Sequence, residues 1–309
     1  MIFPSVKPVG NHALSRIARM TSFLPFQANN EAGLRKRGRM VMVADVLAVV
    51  DLGSTDANFV TQAEQFAHAR NARLTVAVAA PVSTLEFSLA SASGYPLANE
   101  LGRYAKEKKT ALAGQFATIG RLVHFCCYEG EIVELGKMLS ARASVGDLTL
   151  IGPPGAYGNR KFRSRILEDL ALLSGRPVLA VPPNGVADHF NHIAVGWNGS
   201  REAVRALNDA LPLLESHARI DIVAVSPGGS PSALDPISEH LRRLGYAPTQ
   251  HALSGEDATS DLLLRFADQL QAQLLAVGAF AHSRFEEVVL GGVTRDLIEG
   301  ASVPVLFSH

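Results

Sequence analysis

The chain has 309 residues, 47% of them hydrophobic and 19% charged, enough apolar material for real cores and too little charge for extended disorder. Its 29 basic and 29 acidic side chains cancel, which argues against a dedicated nucleic-acid binder with its basic excess. The two cysteines, Cys126 and Cys127, are adjacent and make neither a disulfide framework nor a CxxC site, and no apolar run approaches the ~20 residues of a membrane span. A reducing, cytoplasmic setting without membrane or nucleic-acid partners is expected.

Residues 1–43 carry Lys7, Arg16, Arg19, Arg35, Lys36, Arg37 and Arg39 against the single acid Glu31. This stretch is expected to be a basic, disordered extension outside the fold. From Val46 the pattern becomes regular. Val46–Asp51 (VLAVVD) is an apolar, β-branched run ending at Gly53, as in a strand buried on both faces. A helix follows over Thr55 to Asn71, then a strand at Leu74–Ala80 stopped by Pro81, and a Ser/Ala/Gly-rich loop. Next come a helix at 97–119, a strand at 121–128, a helix at 131–143, a strand at 148–152, a helix at 162–173 and a strand at 177–181 closed by Pro182-Pro183.

The pattern then repeats. Strands are predicted at 192–197, 220–225, 249–254, 274–277 and 304–307, with helices at 200–214, 233–244, 257–271 and 286–299 between them. The helix at 257–271 is strongly amphipathic, with Leu262, Leu263, Phe266 and Leu270 inward. The reading is therefore a duplicated domain, 44–183 and 190–309, rather than a solenoid array. Strands that alternate with helices pair in parallel, since each crossover returns the chain to the same edge. The fold class is α/β: two tandem, doubly wound, parallel five-stranded sheets. Such sheets bind ligands at the carboxyl ends of their strands. The two final strands, 177–181 and 303–307, are expected to pair edge to edge and so bury two apolar edges.

Chemistry is most legible at Gly278–Thr294 (GAFAHSRFEEVVLGGVT), which follows a buried strand and enters a helix. Glycine lets a backbone approach a ligand closely, and free amides at a helix start favour an anion. His282 lies inside this loop, as a ligand contact or a polar loop tip. Trp197-Asn198-Gly199-Ser200 follows the first strand of the same half. If the first and fourth strands are neighbours, these loops face each other across one crevice.

On these residues the chain resembles the universal stress protein family. That family has an Asp-Gly-Ser type turn after its first strand and a Gly-x2-Gly-x9-Gly-(Ser/Thr) loop after its fourth. Here Gly278, Ala281, Gly291 and Gly292 occupy the four loop positions, and Val303-Pro304-Val305-Leu306 is similar to the family's last strand. The resemblance runs from about Ile193 to the end and, more faintly, over the first half from about Val46. It implies a flavodoxin-like fold with sheet order 3-2-1-4-5, a role in stress response, ATP binding in many members, and homodimerisation. The implied nucleotide-binding candidates are Asn198, Gly199, Ser200, Gly278, Ala281, His282, Gly291, Gly292 and Thr294. Three departures degrade that site. Asn198 stands where binding members have Asp, Ala281 opposes a positive φ, and Gly292 lacks a hydroxyl. In the first half, weaker candidates are Asp51, Gly152 and Gly155. Arg160, Lys161, Arg163 and Arg165 follow them, as a phosphate-facing loop or a solvated helix start.

There is no Walker loop, no GxGxxG, no HExxH and no GxSxG elbow, and the ten histidines form no metal-ligand spacing. No catalytic residue and no metal site are assigned. The expected function is that of a non-enzymatic stress-response factor that takes ATP or an unidentified protein partner. One alternative is a nucleotide-hydrolysing or adenylyl-transferring enzyme, which would need a carboxylate for its metal; Asp51 is the candidate. The other is a pure interaction module with vestigial pockets.

Overall fold

A computed structural model describes residues 43–53, 56–82, 97–117, 123–225, 234–255, 257–279 and 292–309. Of the extension expected at 1–43, all but Val43, which is buried, lies outside them, as does the loop 280–291. The first half runs β1 (Asp45–Val50), α1 (Ala57–Ala69), β2 (Arg73–Val82), α2 (Leu97–Ala117), β3 (Val123–Glu131), α3 (Ile132–Ala143), β4 (Leu148–Ile151), α4 (Arg160–Leu173) and β5 (Val178–Ala180). The second runs β6 (Phe190–Gly196), α5 (Arg201–Ala210), β7 (Leu214–Val225), α6 (Asp235–Arg243), β8 (Ala247–Leu253), α7 (Thr259–Gln269), β9 (Leu274–Gly278), α8 (Gly292–Gly300) and β10 (Val305–Ser308).

The strands form one ten-stranded sheet in the order β3-β2-β1-β4-β5-β10-β9-β6-β7-β8. Counted from its outer edge, each half has the order 3-2-1-4-5. Within each half neighbours pair in parallel. The halves meet through one antiparallel pairing, Val305 to Ala180, Leu306 to Leu179 and Phe307 to Val178. The edge-to-edge contact expected from the apolar ends is thus present, and it merges the two five-stranded sheets into one. All six residues of that ladder are buried. Each large side chain there contributes roughly 1.5–3 kcal/mol by leaving water.

The buried strands explain themselves. β1, β4, β9 and β10 are flanked by strands on both sides and nearly every residue in them is buried, so both faces must be apolar. β8, at the sheet's edge, alternates exposed and half-buried residues, which is why its signal in the sequence is weak. Helices show a single inward stripe; in α4 it is Phe162, Ile166, Leu167 and Leu170. Three helices close with the same paired bonds. After α1 the Asn71 and Ala72 amides donate to the His68 and Ala67 carbonyls; after α7, Gln271 and Ala272 donate to Asp268 and Ala267; after α6, Gly245 and Tyr246 donate to Arg242 and Leu241. This pattern needs a left-handed residue just past the helix, and Asn71, Gln271 and Gly245 have φ of 54°, 53° and 89°.

Two predicted elements are corrected. The strand expected to stop at Pro81 runs on to Val82, with Pro81 in register with Gly130 of β3. The helix expected at 200–214 ends at Ala210, and Leu211–Leu213 form a short 3-10 turn. Pro212 has no amide to continue the α-helical ladder. The chain instead enters β7 six residues earlier than predicted, at Leu214 rather than Ile220, through an irregularity at His217, whose φ is 67°.

Candidate functional site

β6 and β9 are paired neighbours, so the turn after β6 lies beside the end of β9; the loop beyond, 280–291, falls outside the described residues. The turn is built from its own side chains. Asn198 Oδ1 accepts from the Ser200 amide at 3.0 Å, and Gly199 supplies the φ of 74° that the turn requires. Ser200 is the N-cap of α5, its Oγ accepting from the Ala203 amide at 3.2 Å. Asn198 and Gly199 are exposed. Trp197 is half-buried against the core.

Gly278 ends β9 directly beneath the first turn of α5. A β-carbon on it would lie 2.6 Å from the Ala203 amide nitrogen and 2.7 Å from Glu202 Cβ. Glycine is therefore required here by helix packing, whatever ligand the loop beyond it meets. Glu202 is buried and paired with Arg201. Burial pushes its carboxyl up, but hydrogen bonds from Arg201 and from its own backbone amide outweigh that, and the net direction is down. The amides of Ser200, Glu202 and Ala203 are thus already engaged by side chains of the chain itself, and an ionised carboxylate stands at the same helix start. Both features weaken this helix as an anion site. Of the remaining candidates, Gly292 opens α8 and Thr294 lies in its first turn, while Ala281, His282 and Gly291 fall outside the described residues.

The matching crevice of the first half is closed. Asp51 is buried; its Oδ1 accepts from the Gly53 amide at 2.7 Å and its Oδ2 from the Asn159 amide at 3.2 Å. A β-carbon on Gly53 would sit 2.6 Å from the Gly158 nitrogen, so the loops after β1 and β4 touch backbone to backbone. Lys108 reaches in from α2, donates to the Asp51 carbonyl at 2.5 Å and to the Gly53 carbonyl, and pairs with the buried carboxylate of Asp56. Gly152 is filled by the Phe59 ring, which a β-carbon would meet at 2.8 Å, whereas Gly155 faces open space. Among the described residues the space between these loops is filled by the chain's own atoms. The Asp51 carboxylate, which the hydrolytic alternative would need for a metal, is committed to two amides.

The basic stretch after Gly155 does not form a phosphate-facing loop either. Asn159 caps α4 by accepting from the Phe162 amide at 3.1 Å, so the helix starts at Arg160. Arg160 and Lys161 are exposed, Arg165 pairs with Asp169 at 3.0 Å, and Arg163 is buried.

One polar cluster was not foreseen. Asp221 on β7 is fully buried and accepts from His192 Nε2 on β6 at 2.5 Å, His251 Nε2 on β8 at 2.6 Å and the Arg219 guanidinium at 2.9 Å. Phe266 of α7 packs edge-on to the His251 ring, 4.9 Å between centroids. Burial pushes Asp221 up, but the bonds from His251, His192 and Arg219 win and hold its carboxyl below the usual range. Among the described residues no group of three His, Cys, Asp or Glu is arranged to hold a metal ion. The two cysteines are half-buried and donate to the Val76 and Ala105 carbonyls. No helix among the described residues is long and apolar enough to cross a membrane.

Residues 240–309 match the model of the universal stress protein family. No curated protein matches the sequence. The fold is similar to that of a universal stress protein from Archaeoglobus fulgidus, at 17% identity over 85% of this chain and 95% of that one, with a TM-score of 0.63. It is also similar to a candidate universal stress protein from Pseudomonas aeruginosa, at 13% identity over 86% of this chain and 93% of that one, with a TM-score of 0.51. Residues 240–309 thus carry the likeness to the universal stress protein family, and the chain as a whole shares the fold of these solved structures, with the 3-2-1-4-5 α/β order in both halves.

Proposed function

We propose that the protein is a non-enzymatic, cytoplasmic stress-response factor that binds one nucleotide per chain, ATP in the first instance, through its second half. The observation that carries this reading is the asymmetry of the two crevices. In the second half Asn198 and Gly199 are exposed at the mouth of the turn. In the first half the corresponding space holds Lys108, Asp56 and the Gly53–Gly158 contact. One half has become a structural partner and the other retains an accessible turn beside the end of β9.

The test is calorimetric titration of the full chain with ATP, paired with Asn198→Trp, which places bulk at an exposed position of the turn. The expected result is a single site that the substitution removes. No heat of binding at millimolar ATP would sink the reading and leave a protein-interaction module. Release of inorganic phosphate during the titration would instead favour the enzymatic alternative.

A further inference from the structure

A cavity of about 310 Å3 lies where the halves meet, between α4 and the β5–β6 linker on one side and the end of α8 on the other. Pro154, Val181, Pro182 and Leu297 give it apolar walls, and Arg163 lies in its lining. Arg163 is 2% exposed. Its Nε donates to the Gly152 carbonyl at 2.7 Å and its Nη1 to the Ile298 carbonyl, in the other half, at 3.0 Å. Both acceptors are neutral. Among the described residues no carboxylate forms a salt bridge with the guanidinium, whose hydrogen bonds run to these two carbonyls.

A buried cation without a counterion is costly, several kcal/mol per ion even after relaxation, and buried charges are as a rule paired. Burial lowers the affinity of Arg163 for its proton, against the opposing pull of Tyr157 and Glu299. Among the described residues Glu299 is the one acid lining the cavity, and it is exposed. The volume lies at the lower end of ligand pockets, which are ~300–1,000 Å3, mostly apolar, and carry few polar groups.

We propose that this cavity binds a small organic anion, its acid group on Arg163 and its apolar body against Pro182 and Leu297. Such a ligand touches both halves at once and supplies the charge that Arg163 lacks. Because it binds the folded chain alone, it raises thermal stability by mass action. The site is separate from the crevice between β6 and β9, so its fate does not depend on ATP binding.

Hexanoate and inorganic phosphate serve as probes on the full chain, by calorimetry and thermal unfolding in chloride buffer. Arg163→Gln also breaks the ties to Gly152 and Ile298, so the decisive variant is Gly300→Leu. Gly300 lines the cavity, and a β-carbon there meets no atom within 4 Å. Hexanoate is expected to bind once per chain and raise the unfolding temperature. Its binding should weaken at least tenfold in Gly300→Leu and tighten in Glu299→Gln. Failure of hexanoate to bind, or equal binding by Gly300→Leu, overturns the proposal. Phosphate bound as tightly as hexanoate overturns it too, because the apolar walls would then play no part.

Discussion

Gly53 and Gly158 abut so closely that a β-carbon on Gly53 would lie 2.6 Å from the Gly158 amide nitrogen. Two loops that could flank a ligand are in contact, and neither partner is a flexible side chain that could move away. Gly53→Ala and Gly152→Ala, the latter against the Phe59 ring, should each cost about 1–3 kcal/mol, as overpacking typically does. Gly155→Ala, into open space, should stay within about 0.5 kcal/mol of the parent. Urea unfolding of the three variants decides this; equal effects would mean that the first crevice is not closed as described.

Lys108 and Asp56 form a buried pair, with side-chain exposures of 14% and 4%. Removing one partner of such a pair strands a charge, at about 3–5 kcal/mol, and Lys108→Met should show a loss of that order at neutral pH. Burial already raises the Asp56 carboxyl, with Lys108 holding it back; without Lys108 the rise is larger. The folded protein then holds that proton more tightly than the unfolded chain. The variant's stability should therefore fall as pH climbs from the unfolded to the folded pKa of Asp56. Adding Asp56→Asn should remove this slope, which parallel denaturation series from pH 4 to 8 would read directly.

The junction of the halves rests on few residues. Leu179 and Leu306 face each other in the antiparallel ladder and both are fully buried. Leu179→Ala and Leu306→Ala should each cost about 2–5 kcal/mol through lost transfer energy and the cavity left behind. The double variant should cost less than the sum by about 0.5–3 kcal/mol, because neighbouring residues share that cavity. A strictly additive result would mean that the two side chains do not pack as one unit.

Local pattern made most of this fold legible. VLAVV and LLAV read as buried strands, and the residue types of Asn198-Gly199-Ser200 suit the turn and helix cap they form. Pro212 lies inside the apolar helical period of 200–214, and the backbone follows the proline rather than the period. The rest depends on contacts that spacing does not encode. Lys108 fills the first crevice from a helix 57 residues beyond Asp51. Gly278 reads the same whether a ligand or a helix end lies above it, and only the approach of Ala203 and Glu202 distinguishes the two. Arg163 sits in a run of basic residues that suggests a solvated or phosphate-facing surface, yet helical periodicity turns it inward beside Phe162.

The Asp221 cluster shows why register matters. His192, Asp221 and His251 come from three successive strands, and the β6–β7 and β7–β8 registers place them on one face. The groups that face the carboxylate are His192, Arg219 and His251, with Phe266 of α7 contributing only its ring against His251. Because the folded pKa of Asp221 is held below its ordinary 3.8, its contribution is present above the unfolded pKa. It is lost as pH falls through the lower, folded value. Asp221→Asn should therefore cost about 1.5–3 kcal/mol at pH 7, the range for hydrogen bonds to a charged group. The gap between parent and variant should narrow as the pH drops below 4. A gap that stays constant down to acid unfolding would mean that Asp221 is not held as an anion, and that the two histidines fix the outer strands by packing alone.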